Sequence, residues 1–478
     1  MISVATRTYD NIRRSSTAVI LFTMCLGIFI AQLDSQVVNL AIKQIGSNLD
    51  ASVSQLQWVL DSYNLFYATL LLTGGTLGDL YGRVRIFAIG IGLIVLGSVV
   101  CAVAPNAAVL IGGRALTGIG SALEVPTSLA ILTVTYGDAK ERAHAIGIWA
   151  SCNGMALAVG PTIGGLLVDA AGWRSIFALV VPVSALAMVL ALKCIPESGD
   201  SKGRQPDPVG QALAIVALGA LTFVAIEGPH WGWTRPIILA LTACFAVSGV
   251  LFVYCERGKA GALVPLDLFR DREFNAALAV AGMMTFGMYA MLFLTPLYLQ
   301  SLGGASAFRV GLELLSLSAT FVIVSQCSGA LAKRFGARVL MTAGMSAMGI
   351  GVLLLTQVSV TPNLILIEVA LLVIGVGLGL NTAPVNAVAV ASVPPARSGT
   401  ASGLVNTARM VGATMGVAVL GALFAVHAAG KSPDMMVAGL RLAYFGGAVV
   451  LLAGALVALA FIRHDSMEQR PSRSRPIP

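Results

Sequence analysis

The sequence predicts an all-α integral membrane protein with fourteen transmembrane helices, built as two six-helix bundles with two inserted helices. Three observations carry this. Of 478 residues, 57% are hydrophobic and only 11% are charged, against roughly 25% charged in an average soluble domain. No core at this length can hide so much apolar surface, because exposed area falls only slowly with size. The surplus therefore faces lipid. Apolar runs of the roughly 20 residues needed to cross a ~30 Å hydrocarbon layer recur fourteen times, and lysine and arginine gather on one side of them. The same composition excludes a water-soluble enzyme, a disordered chain, a collagen and a disulfide-stapled secreted fold.

In order, the runs cover residues 17–41, 55–78, 86–104, 108–133, 144–168, 174–194, 208–228, 236–255, 274–299, 307–332, 339–359, 363–390, 399–426 and 441–462. They are continuously apolar and rich in Leu, Ala and Gly, without the ten-residue alternation of a membrane barrel, so they read as helices. The first follows Arg13 and Arg14 as a signal peptide would. It continues through Asp34 to Ala41, too long for a signal core, and is expected to be retained. Six runs precede the hydrophilic stretch 195–207, which holds Pro196 and Pro206; two precede the charged stretch 256–273, and six follow. That order divides the chain into a first bundle (1–205), a two-helix insertion (206–257) and a second bundle with a tail (258–478), as an internal repeat with an inserted hairpin would. Gly75-Thr-Leu-Gly-Asp-Leu-Tyr-Gly-Arg-Val-Arg85 has a weak echo in Gly329-Ala-Leu-Ala-Lys-Arg-Phe-Gly-Ala-Arg338, at the matching place in each half. Duplication explains that match better than two unrelated basic turns.

With both termini inside, 22 of the 30 basic residues fall on the inner side, including Arg7, Arg13, Arg14, Lys202, Arg204, Arg470, Arg473 and Arg475. Six fall outside (Lys43, Arg174, Arg235, Arg309, Lys431 and Arg441), and Arg114 and Arg409 lie within helices. This bias predicts an even helix count and cytoplasmic termini. The net charge of +8 is then a topology signal, and no nucleic-acid partner is expected. The seven cysteines are scattered, and His144, His230, His427 and His464 sit near segment ends or tails. Neither set has metal-ligand spacing, so no metal or cofactor is expected. Gly430-Lys431-Ser432 has Ala425 where a phosphate loop needs glycine. No serine has a convincing histidine and acid arrangement. An enzyme is not expected.

Function is sought among the few ionisable groups at membrane depth, each costing about 2.5–3.5 kcal/mol to insert. Asp34, Asp61 and Arg114 lie roughly 12, 9 and 9 Å from the outer ends of their runs at 1.5 Å per residue, so they can meet if their helices are neighbours. A carboxylate that pairs with arginine in one state and is desolvated in another changes proton affinity between them. The alternative is a static ion pair. Asp61 has a second reading, attraction of a cationic substrate beside the aromatic faces of Trp58 and Tyr63. Glu124 is roughly 15 Å along the helix from Arg114 and cannot pair with it; it is either a cavity-facing carboxylate or a neutral acid in packing. Glu227 is expected to mark the outer end of the seventh helix, with Glu313 and Glu368 near the outer surface. Asn406 and Arg409 are the polar residues early in the thirteenth helix. Asp79 and Arg83 end the second helix, where Asp79 can cap a neighbouring helix and pair with Arg142. Contacts made only when the inner gate is shut bias the conformational equilibrium, whereas an exposed pair contributes little. Gly160-Pro161 interrupts the hydrogen-bond ladder of the fifth helix, and Gly160 with Gly164 makes a small face for close packing.

Five of these segments carry a family resemblance. Gly75 to Arg85 resembles the loop signature of the major facilitator superfamily, with Leu80 and Val84 where that signature is usually basic. Arg114-Ala-Leu-Thr-Gly118-Ile-Gly120 is similar to its fourth-helix signature, and Gly154 through Gly160-Pro161-Thr-Ile-Gly164-Gly165 to its fifth-helix antiporter signature. Leu33-Asp34-Ser35-Gln36-Val37-Val38-Asn39 resembles the first-helix motif of the fourteen-helix drug:proton antiporter branch, and Trp58-Val-Leu-Asp61-Ser-Tyr63 its second helix. Exporters of antiseptics and of methylenomycin A are the similar members. Lys333 stands where the second-half loop copy would hold an acid, and the acid expected early in helix thirteen is missing.

The resemblance implies a proton-coupled antiporter that exports small lipophilic drugs, antibiotics or antiseptics by alternating access. Its partners would be a small-molecule substrate, protons and lipid, and it would work as a monomer. Proton coupling would fall to Asp34, Arg114, Asp61 and Glu124. Substrate binding would fall to Asp61, Trp58, Tyr63, Glu124, Asn406 and Arg409, and gating to Asp79, Gly82, Arg83 and Arg142. Gly154, Gly160, Pro161, Gly164 and Gly165 would form the antiporter motif. A proton-coupled importer of a small metabolite is the alternative within transport; a non-transporting membrane sensor or enzyme is the alternative outside it.

Overall fold

The structure, a computed structural model, describes residues 2–199, 207–257, 259, 262, 264–394, 397–428 and 432–463. Pro206, Lys202, Arg204, Gly430, Lys431, His464, Arg470, Arg473 and Arg475 lie outside the described residues, as do the side chains of Arg7, Arg13, Arg14, His230 and His427. Among the described residues there are fourteen α-helices and no strand. They are α1 (Ile2–Leu49), α2 (Val53–Tyr81), α3 (Arg83–Ala102), α4 (Ala107–Thr135), α5 (Ala139–Ala171), α6 (Arg174–Cys194) and α7 (Pro208–Trp231). Then follow α8 (Pro236–Glu256), α9 (Arg272–Ser301), α10 (Ala307–Phe335), α11 (Ala337–Leu354), α12 (Leu364–Ala391), α13 (Ser398–Ala428) and α14 (Pro433–Phe461).

Among the described residues, thirteen helices are long and apolar enough to cross a membrane; α2 is the exception. It has the length, 29 residues, but carries Gln57, Asp61, Ser62 and Asn64, all buried. These side chains are hidden among neighbouring helices, chiefly α4, α13 and α7, so α2 needs less apolar surface for lipid. Several helices outrun their apolar segments. α1 continues eight residues beyond Ala41 to Leu49, because Gln44 and Asn48 accept from the Trp173 backbone (3.1 Å) and indole (3.2 Å). Such hydrogen bonds keep a helix wound after it has left the hydrocarbon.

The helix starts are capped as their sequences allow. Ser52 and Gln55 form a reciprocal capping box at α2, and Asn106, Asp138, Asp271, Ser306 and Asn363 cap α4, α5, α9, α10 and α12. Consecutive helices cross in opposite senses. One face of the molecule therefore carries the turns at 49–53, 102–107, 171–174 and 301–307, and the other those at 81–83, 135–139 and 335–337.

The two halves share a joint. Gly82 (φ 103°) is the single residue between α2 and α3, and Gly336 (φ 83°) is the single residue between α10 and α11; a side chain at either would be strained. In the first half Gly90 of α3 meets the Gly120 carbonyl of α4, and in the second Gly344 of α11 meets that of Gly377 in α12. These matching contacts are what a duplicated unit would leave.

The inserted pair sits at the side. α7 packs on α2 and α13, whereas α8 packs on α7 and exposes most of its surface. Gln211 of α7 donates to the Thr69 carbonyl (2.8 Å) and meets the Thr73 hydroxyl. Near the other end of α7, Glu227 accepts from the Trp58 indole (3.1 Å). Asp207 caps α7 and pairs with Lys259 at 2.6 Å.

Candidate functional site

The site is built from α4 outward. Gly113 and Gly118 leave room for the α3 and α2 backbones to approach, and Arg114 between them is 1% exposed. Its Nη1 lies 2.5 Å from Asp34 Oδ2 on α1, also 1% exposed. The guanidinium is held on three further sides. Nε donates to the Val59 carbonyl (3.3 Å), Nη1 to the Thr117 hydroxyl (3.4 Å), and its carbon sits 4.5 Å over the Tyr63 ring. Tyr63 is itself fixed, donating to the Ala31 carbonyl (3.0 Å) and lying 3.1 Å from the Ser121 hydroxyl. Such a cradle suits the planar, permanently charged fork of arginine. Asp34 Oδ1 has no hydrogen-bond partner among the described residues.

The structure brings together only part of the expected set. Asp34, Arg114 and Tyr63 meet. Asp61 stays outside the pair, fully buried, with both oxygens lacking a donor among the described residues. Trp58 does not join Tyr63 in an aromatic wall. Its indole points at α7, bonded to Glu227 and tilted against Phe223 with ring centres 6.0 Å apart. The expectation that Glu227 marks a helix end missed this partner, because no local signal links residues 169 positions apart. Glu124 is fully buried against Gly27 of α1 and Phe87 of α3, inside the first half, and neither oxygen has a donor among the described residues.

From the second half, Arg409 on α13 donates from Nη2 to the Thr382 carbonyl (3.3 Å), and its Nε has no partner among the described residues. Among the described residues no carboxylate forms an ion pair with it. Asn406, one turn earlier, is exposed although it lies within a long apolar helix. A polar side chain so placed faces water rather than lipid.

At the 81–83 face the gating residues are arranged differently from expectation. Asp79 binds Arg83, one turn along, through Nε (2.9 Å) and Nη2 (2.7 Å). Among the described residues no ion pair joins it to Arg142, and the α3 N-terminus is capped by a residue the sequence reading passed over. Glu197, after α6, accepts from the Val84 (2.9 Å) and Arg85 (3.0 Å) amides. A side chain at Gly82 would be strained by its φ of 103°, and its Cβ would lie 2.7 Å from the Glu197 carboxyl carbon, which would have to shift. Glu197 lies in the hydrophilic stretch after α6, and its partners lie 112 and 113 positions away.

The glycines of the antiporter motif divide their contacts. Gly160 and Gly164 lie against α1, where a Cβ on Gly164 would come 2.8 Å from Val37. Gly165 lies against the Ala307 backbone of α10, and Gly154 faces open space. α5 is not broken at Pro161 but runs unbroken from Ala139 to Ala171. The missing amide frees the Leu157 carbonyl four residues earlier, and the Ser318 hydroxyl of α10 donates to it at 3.2 Å. The ladder is interrupted as expected, and the vacated acceptor ties one half to the other.

The sequence pattern of the Major Facilitator Superfamily matches residues 24–417. The chain belongs to this superfamily. As a major facilitator it is a multi-pass membrane transport protein for small molecules, not an enzyme. It is 41% identical over 400 residues to Multidrug resistance protein Stp of Mycobacterium tuberculosis, covering 84% of this chain and 74% of that one. It is 35% identical to the Methylenomycin A resistance protein of Bacillus subtilis (94% and 96% covered) and 31% identical to Multidrug efflux pump LfrA of Mycolicibacterium smegmatis (92% and 87%). Among solved structures, the fold resembles that of a peptide transporter POT with sulfate (TM-score 0.68, 17% identity, 92% and 93% covered). It also resembles a bacterial homologue of the lysosomal transporter Spinster in an inward-facing form (TM-score 0.64, 16% identity, 93% and 96%).

Proposed function

We propose that this major facilitator is a proton-driven exporter of small lipophilic drugs and antibiotics in the bacterial inner membrane. The carrying observation is the buried Asp34–Arg114 pair, with Asp61 also fully buried and without a donor among the described residues, in a chain 41% identical to a multidrug resistance protein. The 81–83 face holds Arg83, Arg85, Lys140, Arg142, Lys193, Lys333 and Arg334 and is cytoplasmic by the positive-inside rule. The chain works as a monomer whose two bundles, 1–205 and 258–478, rock about a central path with 206–257 at one side.

An arginine side chain carries a permanent charge in proteins. A proton on Asp34 therefore removes the attraction between α1 and α4 and leaves the guanidinium on Val59, Thr117 and Tyr63. Such a change shifts a two-state equilibrium only by its difference between the states, which is how proton entry from outside drives return to the inward-facing form. Asp61, with Asn406 and Arg409 from the opposite half, meets the polar groups of the substrate. Asp79, Gly82 and Arg83 act at the cytoplasmic gate. The test is drug-susceptibility profiling of an efflux-deficient bacterium expressing the chain or its Asp34→Asn variant. Resistance should appear with the parent and vanish with the variant. Equal resistance with both removes Asp34 from coupling.

A further inference from the structure

The halves of the molecule are joined at the 49–53 face by side chains that reach across to backbone. Lys43 of α1 donates its ammonium to the Gln300 carbonyl, in the last turn of α9. Asp169 of α5 accepts from the Ala307 (3.1 Å) and Phe308 (2.8 Å) amides, the first two of α10. A cation thus sits at a helix C-terminus and an anion at the next helix N-terminus, each matching the partial charge exposed there. Together they grip the turn 301–306 from both ends. Two buried amides add to this. Gln300 Nε2 donates to the Leu40 carbonyl of α1 (3.0 Å), and Gln57 Nε2 of α2 donates to the Val417 (2.9 Å) and Ala418 (3.1 Å) carbonyls of α13.

We infer that Lys43, Asp169, Gln57 and Gln300 form the latch that holds the outer face shut. The naming of that face as outer rests on the orientation proposed above. These bonds link α1 to α9, α2 to α13 and α5 to α10, so each crosses between the halves, and an outward opening must break them together. Every acceptor or donor on the far side is main chain: the Gln300 carbonyl and the Ala307 and Phe308 amides lie at the ends of α9 and α10, and the Leu40, Val417 and Ala418 carbonyls lie within α1 and α13. The latch therefore depends on how the backbones of the two halves are placed and not on matching side chains, and relative rotation of the halves removes all of its members at once. Gln57 precedes Asp61 by four residues on α2, so this member sits one turn from a carboxyl group that has no donor among the described residues.

The test uses the full-length protein in lipid nanodiscs without drug or proton gradient, reading amide hydrogen exchange at Ala307 and Phe308. Lys43→Glu and Gln57→Leu leave those amides and their Asp169 acceptor untouched. Opening of the latch should speed their exchange roughly two- to fivefold in Lys43→Glu and about two- to tenfold in Gln57→Leu. Lys43 is exposed, so its variant does not endanger folding. Exchange at the parent rate in Lys43→Glu overturns the latch, whatever Gln57→Leu does. Because no drug is present, that result leaves the export reading intact, and failure of export with accelerated exchange sinks export alone.

Discussion

At the scale of residues, the central contrast is between the partnered and the unpartnered charges. Arg114 is enclosed by a carboxylate, two oxygens and a ring, so its substitutions separate charge from shape. Arg114→Ala strands Asp34 in the interior and should lower stability by about 3–5 kcal/mol, the usual consequence of removing one buried partner, read as a fall in the thermal midpoint in detergent. Arg114→Lys keeps the charge but not the fork, and should leave a folded protein with export reduced at least roughly tenfold, about 1.4 kcal/mol on the limiting step. Trp58→Phe should cost only about 0.5–1.5 kcal/mol, the worth of one hydrogen bond to Glu227, with the spectrum of exported drugs unchanged. A changed spectrum returns Trp58 to the substrate path. Asp34 and Arg114 were legible in the sequence because charge at membrane depth is rare and helix geometry sets its depth. Glu197, Gln57, Gln300 and Asp169 were not, because each bonds to main chain far away in sequence, and a backbone partner leaves no mark on residue type.

At the scale of elements, the antiporter motif of α5 makes a prediction within itself. Gly165→Ala drives a Cβ into the Ala307 backbone, and overpacking of this kind costs roughly 1–3 kcal/mol; export should fall and α5 should part from α10. Gly154→Ala, facing open space, should export as the parent does. Equal damage from both variants removes the contact from the explanation. The helices were readable from apolar runs, since each run answers to one physical constraint, the thickness of hydrocarbon. α2 was also read correctly although it is the least apolar, because Leu65 and Leu70–Leu72 maintain the run around its buried polar residues. The ends were read less well: the Gln44 and Asn48 contacts that carry α1 to Leu49 lie with Trp173, in another helical hairpin.

At the scale of the whole molecule, coupling needs a proton-sensitive element that differs between two arrangements of the halves. Asp207 itself, at the start of the inserted pair, is not that element over ordinary pH. Burial raises the Asp207 carboxyl, but bonds from Lys259, the Gly210 amide and Glu256 outweigh it and hold it below the usual carboxylate range. A depressed folded value contributes stability that is present above the unfolded value, about 3.9, and lost as pH falls through the folded one. The Asp207 carboxylate should therefore keep its own charge from pH 8 down to about 5, and Asp207→Asn should leave the shape of the export pH profile unaltered over that range. A displaced profile places the insertion within the coupling machinery.

The most direct measurement is drug movement in proteoliposomes of known orientation, with a proton gradient imposed at zero initial drug gradient. With the 49–53 face toward the acidic compartment, drug should accumulate there against its own gradient, and Asp34→Asn should only equilibrate it. Accumulation on the opposite side, or the same equilibration with and without the proton gradient, contradicts proton-driven export.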